Sequence, residues 1–157
     1  MSKPPCQHGR VPSEPDRHAA STESLTVLGQ AVRHAIDHVE CFPAPEHVRS
    51  VRFSTDEVGS VCPVTGQPDL SRVVIEYEPA ERCVESKSLK LYLWSFRDEG
   101  TFHEAVTNRI LDDLVAATQP RFMRVTAEFG VRGGIWTNVI AEHRAPDWQA
   151  PEKVELP

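Results

Sequence analysis

Ser71-Arg72-Val73-Val74-Ile75-Glu76-Tyr77-Glu78 is the stretch on which the fold turns. Val73, Ile75 and Tyr77 fall on one side of an extended chain, while Arg72, Glu76 and Glu78 fall on the other. This two-residue alternation predicts an antiparallel strand with one face in a core and one in water. Downstream the period changes. Leu89, Tyr92, Leu93 and Phe96 recur at helical spacing and predict a helix over 85–96, with Lys87, Lys90, Trp94 and Arg97 on a second stripe. Gly100 ends it. Val106, Ile110, Leu111, Leu114 and Val115 predict a second helix over 101–118, stopped by Pro120. Alternation returns over 122–129, with Met123, Val125, Ala127 and Phe129 inward. Gly133-Gly134 makes a turn, and 135–140 is the last strand.

Upstream of the opening stretch, 54–69 is rich in turn residues (Gly59, Pro63, Gly66, Pro68) and reads as irregular. Residues 48–53 read as a strand, and 24–39 as a short helix carrying Leu25, Leu28, Val32 and Ile36. Residues 1–22 are rich in Pro, Ser, His and charge and read as a disordered tail, in which His8 and His18 are solvated. The Pro-rich segment 144–157 reads as a loose C-terminal tail, leaving one domain over 23–143. The order strand, strand, helix, helix, strand, strand gives an α+β chain: four antiparallel strands with two helices on one face. Such an open sheet has two edges, which pairing with further subunits would remove.

With 157 residues the chain has enough material for one sizeable core. Seventeen Lys and Arg against 23 Asp and Glu give a net charge of −6, which disfavours coating a nucleic acid. No run of about 18 apolar residues predicts a membrane span. The first residues develop no apolar stretch of the secretory kind, so a cytoplasmic setting is expected. Cys6, Cys41, Cys62 and Cys83 form no C-x-x-C pair. That weakens a zinc reading, and no metal site is expected.

Four groups of residues bear chemistry. Cys62 opens Cys62-Pro63-Val64-Thr65-Gly66-Gln67-Pro68-Asp69. A rigid Pro- and Gly-punctuated loop can hold a thiol at the rim of a sheet, with the carboxylate seven residues later folded back beside it. A buried cysteine and a turn aspartate are the plain alternative. Second, Glu85-Ser86-Lys87-Ser88-Leu89-Lys90 opens a helix. Free amides and lysines suit a phosphate, and Glu85 suits donors on a ligand ring; a helix cap with a solvated lysine face is the alternative. Third, Glu104 follows Phe102 and His103 at the start of the second helix. A carboxylate there can accept paired N–H donors of a guanine-like ring, or serve as an ordinary first-turn acid. Fourth, Arg132 precedes Gly133-Gly134; a hairpin turn is the simplest reading of this group, and an arginine reaching a cofactor phosphate is the alternative.

Together these residues resemble the QueF family of NADPH-dependent 7-cyano-7-deazaguanine reductases of queuosine biosynthesis. The resemblance runs over 53–135, about half the chain. It rests on Cys-Pro-Val-Thr-Gly-Gln-Pro-Asp at 62–69, Glu-Ser-Lys-Ser-Leu-Lys-Leu-Tyr at 85–92, Ser95-Phe96-Arg97 and Phe102-His103-Glu104. It implies the tunnelling fold, whose units join into stacked barrels with active sites between subunits, and a homo-oligomer for which a decamer is the suggested size. It implies that Cys62 attacks the nitrile carbon to form a thioimidate and that Asp69 protonates the nitrogen. Val84, Glu85, Ser86, His103 and Glu104 would hold the base, and Lys87, Lys90 and Arg132 would favour NADPH. No direct nucleic-acid partner is implied. The longer N-terminal segment has no counterpart in this resemblance, and Cys41 and Cys83 match none of its catalytic motifs. Three rival functions remain: a GTP cyclohydrolase-like enzyme, an amidinotransferase-like enzyme that captures the nitrile without reduction, and a non-catalytic base-binding module.

Overall fold

The computed structural model describes residues 25–150. The elements are β1 (Cys41–Pro43), β2 (Val51–Val61), β3 (Pro68–Glu78), β4 (Arg82–Val84), α1 (Ser86–Trp94), a 3₁₀ turn (Ser95–Asp98), α2 (His103–Thr118), β5 (Phe122–Arg132) and β6 (Ile135–Arg144). β2, β3, β5 and β6 form a four-stranded antiparallel sheet in that spatial order. The α+β architecture expected from the periodicities is therefore present. Val73, Ile75 and Tyr77 of β3 and Met123, Val125 and Ala127 of β5 point into one core. Leu89, Tyr92 and Leu93 of α1 and Ile110, Leu111 and Leu114 of α2 fill its other side. Removal of these side chains from water is the main favourable term in the fold. The helix-free face is charged instead. Arg52 stands across from Glu76 and Arg124 across from Glu142, so opposite charges meet between strands.

Several boundaries differ from the sequence expectation. The segment 54–61, read as irregular, continues β2 along the sheet edge; only 62–67 forms the loop into β3. Ser54, Thr55, Asp56 and Glu57 belong to an edge strand where side chains reach water, so their polarity is no bar to the ladder. A register shift between Thr55 and Val58 absorbs the extra residue.

The helix expected over 24–39 is absent from its described part, 25–39. Gly29 has φ of 81°, outside the helical region, and the amides of Thr26 and Val27 donate to the Glu40 carboxylate. Burial works against the charge on Glu40, but the Thr26 hydroxyl and these amides prevail and hold its carboxyl below the usual range. Lys87 Nζ donates to the carbonyls of Val27 and Gln30. The Lys87 ammonium thus takes carbonyls that a helix would have paired internally.

The small β1–β4 pair has no periodic signature, because three residues are too few to show one. It is nonetheless tied to the core, since Val84 N donates to Tyr77 Oη at 2.9 Å. Burial pushes the Tyr77 phenol well above its ordinary range. The start of the expected loose C-terminal tail is also held. Trp148 stacks on Phe122 with ring centroids 4.7 Å apart, and its indole N–H donates to Glu78 at 3.0 Å. The expected tail over 1–22, the first residue of the expected 24–39 helix, and 151–157 lie outside the described residues.

Candidate active site

Cys62 heads the β2–β3 loop. Its amide donates to Gln67 O at 2.8 Å, and the Gly66 amide returns to Cys62 O at 2.8 Å. Gly66 has φ of 69°, a conformation that glycine adopts without a steric penalty. The loop closes over its own first residue and turns the Thr65 hydroxyl and the Thr65 and Val64 amides toward the sulfur. These groups, joined by Arg132, bring the Cys62 thiol down to about 7. Burial pushes Cys41 and Cys83 the other way, above the ordinary thiol value. Among the cysteines of the described residues, Cys62 alone is therefore held ready as a thiolate near neutrality. The plain alternative for this position, a buried and inert cysteine, does not describe it.

Alkylation of Cys62 by iodoacetamide, followed by peptide mass mapping, should therefore rise through pH 7 and flatten above about pH 8. The sign follows from a lowered pKa: the reactive thiolate forms earlier than in an ordinary thiol near about 8.5. Thr65→Val should move the midpoint upward. A wild-type midpoint at the ordinary thiol value would show that the loop does not activate the sulfur.

Asp69 is the second residue of β3, with its side chain 4% exposed. Its Oδ1 accepts from Arg132 Nε at 2.8 Å and lies 3.3 Å from His103 Nε2. His103 is the first residue of α2, and its ring lies flat on Phe129 of β5, centroids 3.8 Å apart at 9°. Arg132 Nη2 also donates to Gln67 O and Pro68 O, both at 3.0 Å. Strand end, helix start and hairpin turn thus meet around one carboxylate. Glu104 sits exposed in the first turn of α2, next to His103.

The linker between the helices fixes this end further. Val61 N donates to Glu99 O at 3.0 Å, and Thr101 N donates to Val61 O at 3.1 Å. The residue before Cys62 is thereby stitched to the segment that leads into Phe102, His103 and Glu104.

The remaining expected site residues lie elsewhere. Glu85 caps α1: its Oε1 accepts from Lys87 N at 2.8 Å and its Oε2 from Ser88 N at 2.7 Å. Each oxygen keeps further acceptor capacity. Val84, Glu85 and Ser86 line a cavity of about 420 Å³ with Leu25, Leu28 and Phe42. Ser86 and Lys90 also line a groove of about 650 Å³ between α1 and the β2 edge, with Trp94 and Arg97 farther along it. Lys87 does not face that groove, since its ammonium is engaged by Val27 and Gln30. The cavity lies at the Val51 end of β2 and Cys62 follows its Val61 end. An eleven-residue strand spans about 33 Å at about 3.3 Å per residue, far more than a bicyclic base covers. One chain therefore brings together Cys62, Asp69, His103 and Arg132, with Glu104 adjacent, and keeps Val84, Glu85, Ser86, Lys87 and Lys90 apart from them.

Sequence reasoning did not single out Thr65, Phe129 or Arg97 as site residues. Thr65 was legible in principle, as a hydroxyl three residues after a cysteine in a tight loop. Phe129 gave no signal beyond core periodicity, because its partner ring is 26 positions away in the chain. Among the described residues, no three His, Cys, Asp or Glu side chains are grouped as metal ligands, and no helix is long and apolar enough to cross a membrane.

Comparison with known proteins places the chain. A family model described as QueF-like protein matches residues 68–148. An NADPH-dependent 7-cyano-7-deazaguanine reductase of Thioalkalivibrio sulfidiphilus is 59% identical over 115 residues, covering 73% of this chain and 89% of that protein. The protein of the same name from Alkalilimnicola ehrlichii is 59% identical over 120 residues, covering 75% and 93%. Among solved structures, the apo form of an archaeosine synthase QueF-Like superposes with a TM-score of 0.57 at 28% identity, covering 60% of this chain and 93% of the other. With 59% identity over a stretch that spans about nine-tenths of such relatives, this chain belongs to the QueF family.

Proposed function

We propose that the protein catalyses the NADPH-dependent reduction of 7-cyano-7-deazaguanine to 7-aminomethyl-7-deazaguanine, in the cytoplasm, on the route to queuosine. The observation that carries the reading is the Cys62 loop. It holds a thiol poised near neutrality beside a buried carboxylate, in a chain 59% identical to reductases of that name.

In this reading the Cys62 thiolate adds to the nitrile carbon. One carbon–nitrogen π bond opens, and the nitrogen takes a proton from Asp69, giving a thioimidate. Arg132 and His103 hold the Asp69 carboxyl at the place where that proton is passed. Glu104 accepts the ring N–H and amino donors as a two-oxygen acceptor, with His103 beside it. Bound NADPH supplies two hydrides in succession. Such hydrides, one from each of two NADPH molecules, would with two protons account for the four hydrogens that turn nitrile into aminomethyl and would release the Cys62 sulfur.

The groove along α1 suits such a cofactor. It is of ligand size, with Lys90 and Arg97 as cations and Trp94 as a flat apolar surface. Lys87 acts from the rear of this site by holding the 25–30 segment, and Arg132 lies at the Cys62 end.

The separation of Cys62 from the Val84–Ser86 cavity argues for a site completed by a second subunit. Both edges of the sheet, β2 and β6, are open in one chain, and β6 exposes Ile135, Trp136 and Ile140. Pairing of such edges closes barrels of the tunnelling kind, covers this apolar surface and can bring one subunit's Val84, Glu85 and Ser86 to its neighbour's Cys62. A homo-oligomer, with a decamer as the working size, follows from this reading.

The deciding experiment is stoichiometric. Incubation of the protein with the nitrile base and excess NADPH should consume two NADPH for each base and yield the aminomethyl product by mass. Capture of the base with no NADPH consumed would leave the amidinotransferase-like alternative standing and remove the reductase.

A further inference from the structure

We propose that Arg132 is a positioning residue for nitrile capture: its guanidinium clamps the end of the Cys62 loop to the start of β3 through Gln67, Pro68 and Asp69, and so fixes where the Cys62 sulfur meets its substrate. The inference rests on the reductase reading and assigns Arg132 a task that needs no cofactor.

The chain is built to aim this side chain. β5 and β6 pair in regular register up to Phe129–Thr137, shift, and resume at Arg132–Ile135. A shift of this kind inserts an extra residue and redirects the side chain that follows. Gly133 and Gly134, with φ of 55° and 81°, then turn the chain directly after it. The redirected side chain is 32% exposed and makes three contacts with one loop: Nε to Asp69 Oδ1 at 2.8 Å, and Nη2 to Gln67 O and Pro68 O at 3.0 Å each. Gln67 O in turn accepts the Cys62 amide at 2.8 Å. The guanidinium is thus two hydrogen bonds from the backbone of the nucleophile and one from the carboxyl that serves it. On its other side Asp69 faces His103, so the titratable groups gathered here are Cys62, Asp69 and His103.

A planar fork is what this task requires. Arg presents several N–H groups in fixed directions and can span a carboxylate and two carbonyls at once. Lysine offers one ammonium on a flexible stem, adequate as a point charge for a phosphate but without the fixed fork that spans a carboxylate and two carbonyls in set directions. The two roles therefore separate by substitution.

The test uses the full chain with the nitrile base and no NADPH, and follows the rate at which intact mass rises by one base. Arg132→Lys and Arg132→Ala should both capture about 100-fold more slowly than wild type, the size of loss expected when reacting groups are displaced by about 1 Å. Arg132→Lys should keep its KM for NADPH within a few-fold of wild type. In both variants the midpoint of Cys62 alkylation should move to higher pH while the thermal unfolding midpoint stays close to wild type, which separates the clamp from general loss of stability. Capture at the wild-type rate in both variants, with only the KM for NADPH raised, would overturn the clamp and leave Arg132 as a cofactor ligand. If wild type itself fails to capture the base, the reductase reading falls, and the alkylation midpoint of Arg132→Lys alone decides the clamp: an unmoved midpoint rejects it.

Discussion

Cys62→Ala should abolish the mass increase with 7-cyano-7-deazaguanine and lower NADPH turnover by about 10⁴-fold or more, a loss of the order seen when an enzyme's nucleophile is removed. The reason is chemical. A nitrile carbon resists direct hydride attack, and sulfur addition converts it to an imidate-like carbon that accepts hydride. No other thiol among the described residues can substitute. Cys83 is buried and Cys41 partly so, and burial raises both thiols, so neither supplies thiolate at pH 7. Alanine at this position costs little in packing, because Cys62 lies in a surface loop held mainly by its own backbone bonds. Turnover within tenfold of wild type would therefore refute covalent capture rather than report an unfolded protein. Binding of the base, read by equilibrium dialysis, should persist in the variant, since the proposed grip on the ring belongs to Glu104 and His103.

The second large effect is at Asp69. Asp69→Asn should reduce turnover by about 10²- to 10⁴-fold, the range associated with loss of a positioned proton donor. Asparagine matches aspartate in shape, and its amide oxygen can still accept from Arg132 or His103. The loop should therefore stay in place. What is lost is a group that can hold a proton and release it to nitrogen. The side chain is 4% exposed, so bulk water has poor access to substitute for it. The measurement pairs steady-state turnover with the NADPH-free capture rate. Capture should slow together with turnover, because the nitrogen gains its proton as the thioimidate forms. An Asp69→Asn enzyme that captures and turns over at wild-type rates would move the proton to another donor, with His103 the next group in line.

Much of this protein can be read along the chain. The strand at 71–78 and the two amphipathic helices were legible because a packed face repeats every two or every 3.6 residues, and a core records that repeat in side-chain type. The loop at 62–69 was legible because proline and glycine restrict the backbone whatever their surroundings. The extension of β2 through Ser54–Glu57 was not, since an edge strand in water keeps no apolar alternation. Nor was the fate of residues 25–39. Their helical spacing of Leu25, Leu28, Val32 and Ile36 is real. It is overridden by one carboxylate at Glu40 and one ammonium at Lys87, the latter some 60 positions away.

The sequence by itself determined the layer architecture and the family, and marked Cys62 and Asp69 as the candidate nucleophile and acid, because each depends on residue type at short spacing. Only the tertiary structure decided what surrounds them. It put Arg132 on Asp69, laid His103 against Phe129, turned Lys87 away from the groove, and separated the Val84–Ser86 cavity from Cys62 by the length of a strand. Those are long-range contacts, set by strand register, a shifted pairing and the packing of two helices. Their energies depend on distances between residues far apart in the chain, which no local pattern encodes.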